Sequence, residues 1–117
     1  MIKIRYSRGE NLGYHHLLIR GHAQAAPHGH DIVCAGVSAI AFALLGYLEQ
    51  NAEHDTYPPE IEPGTMDIFV AQDDEGIKAA FEMAILGLEQ IANHYPHFVE
   101  ITYFCKSADD TREQTPR

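Results

Sequence analysis

Residues 32–49, IVCAGVSAIAFALLGYLE, read as one helix with apolar side chains nearly all round it: Val33, Val37, Ile40, Phe42, Leu44, Leu45 and Leu48. Such a helix needs cover on more than one side. A chain of 117 residues fits one domain with one modest core. A sheet therefore has to cover one side, and a second helix or a partner subunit the other.

The rest of the chain supplies those parts. Ile2, Ile4 and Tyr6 alternate with Lys3, Arg5 and Ser7, the period of a half-buried strand. Gly9 to Gly13 is a turn, and Tyr14 to Arg20 returns as the second strand of a hairpin, with Leu17 and Ile19 on one face. Residues 23–30, AQAAPHGH, lack periodicity and read as a loop, after which Asp31 N-caps the apolar helix. Residues 51–64 hold three prolines and read as an exposed loop. Met66 to Ala71 is a third strand. Asp73 or Asp74 caps a second helix, whose Ile77, Ala80, Phe81, Ala84, Leu88 and Ile91 make one stripe. That helix stops before Pro96, and Phe98 to Cys105 is a fourth strand.

The order is β-β-α-β-α-β. A strand–helix–strand crossover favours parallel pairing, whereas the opening hairpin is antiparallel. The expected fold is an α/β two-layer sandwich, a mixed sheet with both helices packed on one face. Residues 1–106 form the domain, and 107–117 read as a disordered tail.

The net charge of −9 argues against a nucleic-acid binder and is compatible with a basic protein or peptide as partner. No segment reads as a membrane span or as a signal peptide. Two cysteines are too few for a disulfide framework, which points to a reduced, cytoplasmic setting.

Residues 21–34, GHAQAAPHGHDIVC, concentrate the chemistry. Read as a nucleophile site, Cys34 stands in the first turn of the helix, where unpaired N–H groups and the helix dipole favour a thiolate. His22, just past the second strand, can meet it across the loop and accept its proton. The amides of Cys34 and Ala35 can face a developing oxyanion. Asp31 serves as the cap, and Ser38, one turn beyond Cys34, can bond within the site or to the backbone. Read as a metal site, His22, His28, His30 and Cys34 offer zinc-type ligands, but H-x5-H-x-H-x3-C is not a standard zinc spacing. His15 and His16 point to opposite faces of a strand and cannot both join. Read as packing, Cys34 is an inert core residue, as is Cys105. Spacing alone leaves all three open.

The run GHA…GHDIVCAGVSAI, residues 21–40, resembles the signature of the ribosomal-processing cysteine protease family (Prp). MIKIRYSRGENLGYHHLLIRGHA is similar to the family's first hairpin, and GLEQIANHYPHFVEI to its second helix and last strand. The resemblance implies a cysteine endopeptidase with a Cys34–His22 dyad, no metal and no cofactor, and supporting places for Asp31 and Ser38. It implies a mobile loop that orders on substrate, here including Gly21, Ala23, Pro27, His28, Gly29 and His30. It also implies a homodimer whose substrate is the precursor of large-subunit ribosomal protein twenty-seven, from which a short N-terminal extension is removed. A non-catalytic ribosome-assembly module of the same fold is the alternative, with a zinc-binding protein behind it.

Overall fold

A computed structural model describes residues 1–8, 15–21, 28–52, 60–62, 64–71, 74–104 and 113–114. The elements run β1 (Ile2–Arg8), β2 (His15–Arg20), α1 (His28–Asn51), β3 (Glu60–Glu62), β4 (Thr65–Val70), α2 (Glu75–His94), β5 (Val99–Phe104) and β6 (Glu113–Gln114). They form one mixed sheet in the order β3-β4-β2-β1-β5-β6, covered by two helices. The four strands expected from period-two patterning are β1, β2, β4 and β5, and the α/β sandwich is the one expected.

The register explains why one face is dry. Ile4 lies between Ile19 and Ile101, and Ile19 lies beside Met66. This row crosses four strands and faces the helices. Ile2, Leu17, Ile68, Val70 and Val99 extend it, all buried. Lys3, Arg5, His16, Asp67 and Phe69 fall on the opposite parity and line the open face, where His16 Nε2 and Asp67 Oδ1 pair at 2.5 Å.

Three features differ from the sequence expectation. Residues 51–64 are not only loop. They contain β3, which forms a hairpin with β4 through Gly64 at φ +80°. β4 is therefore the return arm of a hairpin and lies antiparallel to β2, not parallel. The crossover through α1 delivers β3 parallel to β2, but at the edge, with β4 filling the place between. Through α2, the second crossover does join parallel strands, β4 and β5, with β2 and β1 between them. In the tail, Glu113 and Gln114 pair with β5 as β6. Cys105 and the remainder of the tail lie outside the described residues.

The two helices run antiparallel. A Cβ built on Gly36 would stand 3.3 Å from Ile91 Cδ1, and one on Gly87 would stand 2.9 Å from Ile40 Cδ1. Each helix thus presses an isoleucine into a glycine notch on the other. Val33, Val37, Ala41, Leu44, Leu45 and Leu48 of α1 are buried in the core. By length and composition Ile32–Asn51 is apolar enough to cross a bilayer, contrary to the expectation that no segment is. A third of that window is buried, the stripe against the sheet, while Ile32 and Phe42 on the same helix are exposed. On the solvent side, a groove of about 610 Å³ between the helices is lined by Ile40, Ala43, Tyr47, Ala79 and Met83.

Candidate active site

Gly21 ends β2 with φ +99°. An L side chain there would be strained, and a Cβ would run into the Met1 carbonyl oxygen. The Gly21 N–H donates to the Gly64 carbonyl at 2.9 Å. This bond ties the exit of β2 to the β3–β4 turn, so both sides of the sheet end are held together.

Those two glycines share a cleft of about 210 Å³ with Cys34 and Ser38. Ile19, Val37, Ala41, Phe42 and Met66 supply its apolar walls. Cys34, Ser38 and Phe42 succeed each other at four-residue intervals along α1, so one helical face looks into the cleft. Cys34 is partly buried against the core and is not disulfide-bonded. Ser38 is exposed, and its hydroxyl makes no hydrogen bond among the described residues, neither to the site nor back to the helix.

The start of α1 corrects the capping assignment. The helix begins at His28, so Asp31 is its fourth residue and not the N-cap, and His28, Gly29 and His30 are helical, not loop. Cys34 is the seventh residue, beyond the first turn. The amides of Cys34 and Ala35 are thereby committed to the carbonyls of His30 and Asp31, four residues back, and do not offer themselves to an oxyanion. The dipole argument weakens as well, because that field falls off within the first turn. Proline-containing segments often precede helices, since proline fits the first turn and lacks the N–H the helix would leave unpaired.

His22, Ala23 and Pro27 lie outside the described residues, as do the side chains of His28, His30 and Asp31. Chain connectivity still fixes one relation. Gly21, the residue that precedes His22 in the sequence, lines the cleft together with Cys34. Among the described residues no three His, Cys, Asp or Glu side chains group as metal ligands. Three of the four ligands of the zinc reading are not described, so that reading is not tested by the geometry.

Sequence reasoning did not single out Phe42, Gly64, Thr65 or Met66 as cleft residues. Phe42 had a signal available, eight residues after Cys34 on the same helical face. The other three depend on the β3–β4 hairpin.

The sequence profile of the family described as cysteine protease Prp matches residues 1–100. The chain belongs to this family. Similar Prp relatives include the ribosomal processing cysteine protease of Mycoplasma pneumoniae, 31% identical over 102 residues, covering 85% of this chain and 91% of that one. The Bacillus subtilis protein of the same name is 43% identical over 45 residues, 38% of this chain and 40% of that one. Among solved structures, the Prp protease of S. aureus in complex with a substrate peptide superposes with a TM-score of 0.71 at 22% identity, over 88% of this chain and 99% of that one. At that identity the likeness is one of fold. A Streptococcus mutans protein superposes with a TM-score of 0.70 at 26% identity, over 91% and 96% of the two chains. Prp membership makes this a cysteine protease of the ribosomal-processing kind, and Cys34 is the described cysteine that opens on a cleft.

Proposed function

We propose that this protein is a cytoplasmic cysteine endopeptidase that removes a short N-terminal extension from large-subunit ribosomal protein twenty-seven, using Cys34 as nucleophile and His22 as base. The observation that carries this reading is the shared cleft: Cys34 on one wall, and on another Gly21, the residue from which His22 departs. The substrate enters as an extended segment whose apolar side chains meet Ile19, Phe42 and Met66.

His22 takes the proton from the Cys34 thiol, and the sulfur bonds to the scissile carbonyl carbon while the π pair moves to oxygen. The Ser38 hydroxyl, one turn along the same face, donates to that oxygen in place of the committed amides. Collapse breaks the C–N bond, and the amine leaves with the proton held by His22. Water, deprotonated by His22, then attacks the thioester and frees the thiol. No cofactor enters the sequence. The acidic net charge steers a basic substrate, so salt slows the encounter. The groove between the helices, where Met83 is 76% exposed, suits pairing with a second copy, the partner cover that α1 called for.

The test is incubation of the purified protein with its own organism's precursor, read by product mass. The wild type shortens the precursor once. Cys34→Ala and His22→Ala leave it intact. Processing by Cys34→Ala at the wild-type rate would refute the dyad.

A further inference from the structure

The helix-facing row of β1 and β2 is apolar through Ile2, Ile4, Leu17 and Ile19, then continues at one end into Tyr6 and His15. Both meet α2. The His15 ring, 9% exposed, stacks on Phe81 with 4.9 Å between centroids. The Tyr6 hydroxyl donates to Glu89 Oε2 at 3.2 Å. These side chains line a pocket of about 300 Å³ that opens to solvent beside Glu82 and Leu86. His15 begins β2, and Gly21 of the cleft follows its last residue, so the pocket lies about 20 Å along the strand from the end that carries the cleft. The reaction proposed above makes no use of it.

The chemistry of the pocket suits a cation. Glu89 is half-buried, and the phenol holds one of its carboxylate oxygens in place. Oε1, the other, has no hydrogen-bond partner among the described residues. A carboxylate oriented in this way is ready for a charged donor, and a hydrogen bond between ions is roughly twice as strong as a neutral one. Glu82 stands seven residues earlier on α2, about 10.5 Å along the axis, and adds a second negative charge at the rim. Leu86 lies between the two on the same flank, 57% exposed, and offers hydrocarbon. Neither lysine nor arginine is among the described lining residues. An anion entering here meets two carboxylates. A wholly apolar molecule takes water from Glu89 and returns no hydrogen bond.

We infer that this pocket binds an organic cation on an apolar stem, an alkylammonium or guanidinium group whose charge bonds Glu89 and whose methylenes lie on Leu86 and the Tyr6 ring. A free amine has this chemistry, and so has a lysine or arginine side chain of another protein. Tyr6 acts through Glu89 and is a positioning residue. The site does not depend on the dyad reading.

The test is an amide NMR titration of the whole protein at low salt with pentylamine, with 1-pentanol as its neutral counterpart. Pentylamine should saturate, and pentanol should bind at least about tenfold more weakly. Glu89→Gln should weaken pentylamine at least about tenfold. Glu75→Gln removes the same charge from the same helix outside the pocket and should stay within about twofold of wild type. Thermal midpoints check that the variants fold. Equal binding of pentylamine and pentanol would overturn the inference. So would equal weakening by Glu75→Gln and Glu89→Gln, which would assign the attraction to the net charge alone. If Glu89→Gln does not fold, the wild-type shifts decide: changes centred on Tyr6, His15 and Glu89 support the site, and changes spread over the acidic surface overturn it. Nα-acetyl-lysine amide separates the sources. Tighter binding than pentylamine assigns the cation to a protein side chain and weaker binding to a free amine, and both support the site.

Discussion

The two helices lie side by side on one sheet, yet they answer to different demands. α2 buries a single stripe, Ile77, Phe81, Ala84, Leu88 and Ala92, and turns the rest outward. Asp74 closes its start, accepting the Ile77 N–H at 3.0 Å. Every one of those choices serves packing. α1 buries a comparable stripe but also presents Cys34, Ser38 and Phe42 to a cleft, and Ile32 and Phe42 are more than half exposed. A thiol, a hydroxyl without a partner among the described residues and an open phenyl ring do little for stability. The contrast separates a buried stripe explained by folding from a helix face explained by chemistry.

Substitutions on each helix test that separation. Cys34→Ala should lower peptide turnover by at least about a thousandfold while the urea midpoint stays close to wild type. A large stability loss would make Cys34 a core residue after all. Phe81→Ala is its mirror: a cost of about 3–5 kcal/mol by denaturant titration, with activity per folded molecule retained in the absence of denaturant. Asp74→Ala should cost about 1 kcal/mol, the usual penalty for a lost N-cap, and leave kcat unchanged. On the open face, Asp67→Asn should change stability by less than about 1 kcal/mol, because the His16–Asp67 pair is 36% and 37% exposed. A larger effect there would mean that the open face contributes more to the fold than either helix surface.

The same contrast governs what the sequence made legible. Period-two alternation revealed β1, β2, β4 and β5, and three-and-four spacing revealed α2, because each follows from burial on one side. The start of α1 did not follow. Pro27 and Gly29 read as breakers, and the favourable capping chemistry of Asp31 attracted the boundary four residues too late. β3 spans three residues among prolines, too few for alternation to show, and β4 could not be oriented without it. For the site, the family signature indicated Cys34 and Ser38, and both line the cleft. The wall opposite them, Gly64 to Met66, comes from the hairpin that short-range patterning could not see.

The glycine notches have a consequence for anyone wishing to modify this enzyme away from its cleft. Gly87 lines the groove between the helices and not the cleft, and an atom added there meets only Ile40, at the outer carbon of its side chain. A methyl at residue 87 is therefore absorbed first by a turn of that side chain, so the seam between the helices can be altered while the cleft on the other face of α1 keeps its lining.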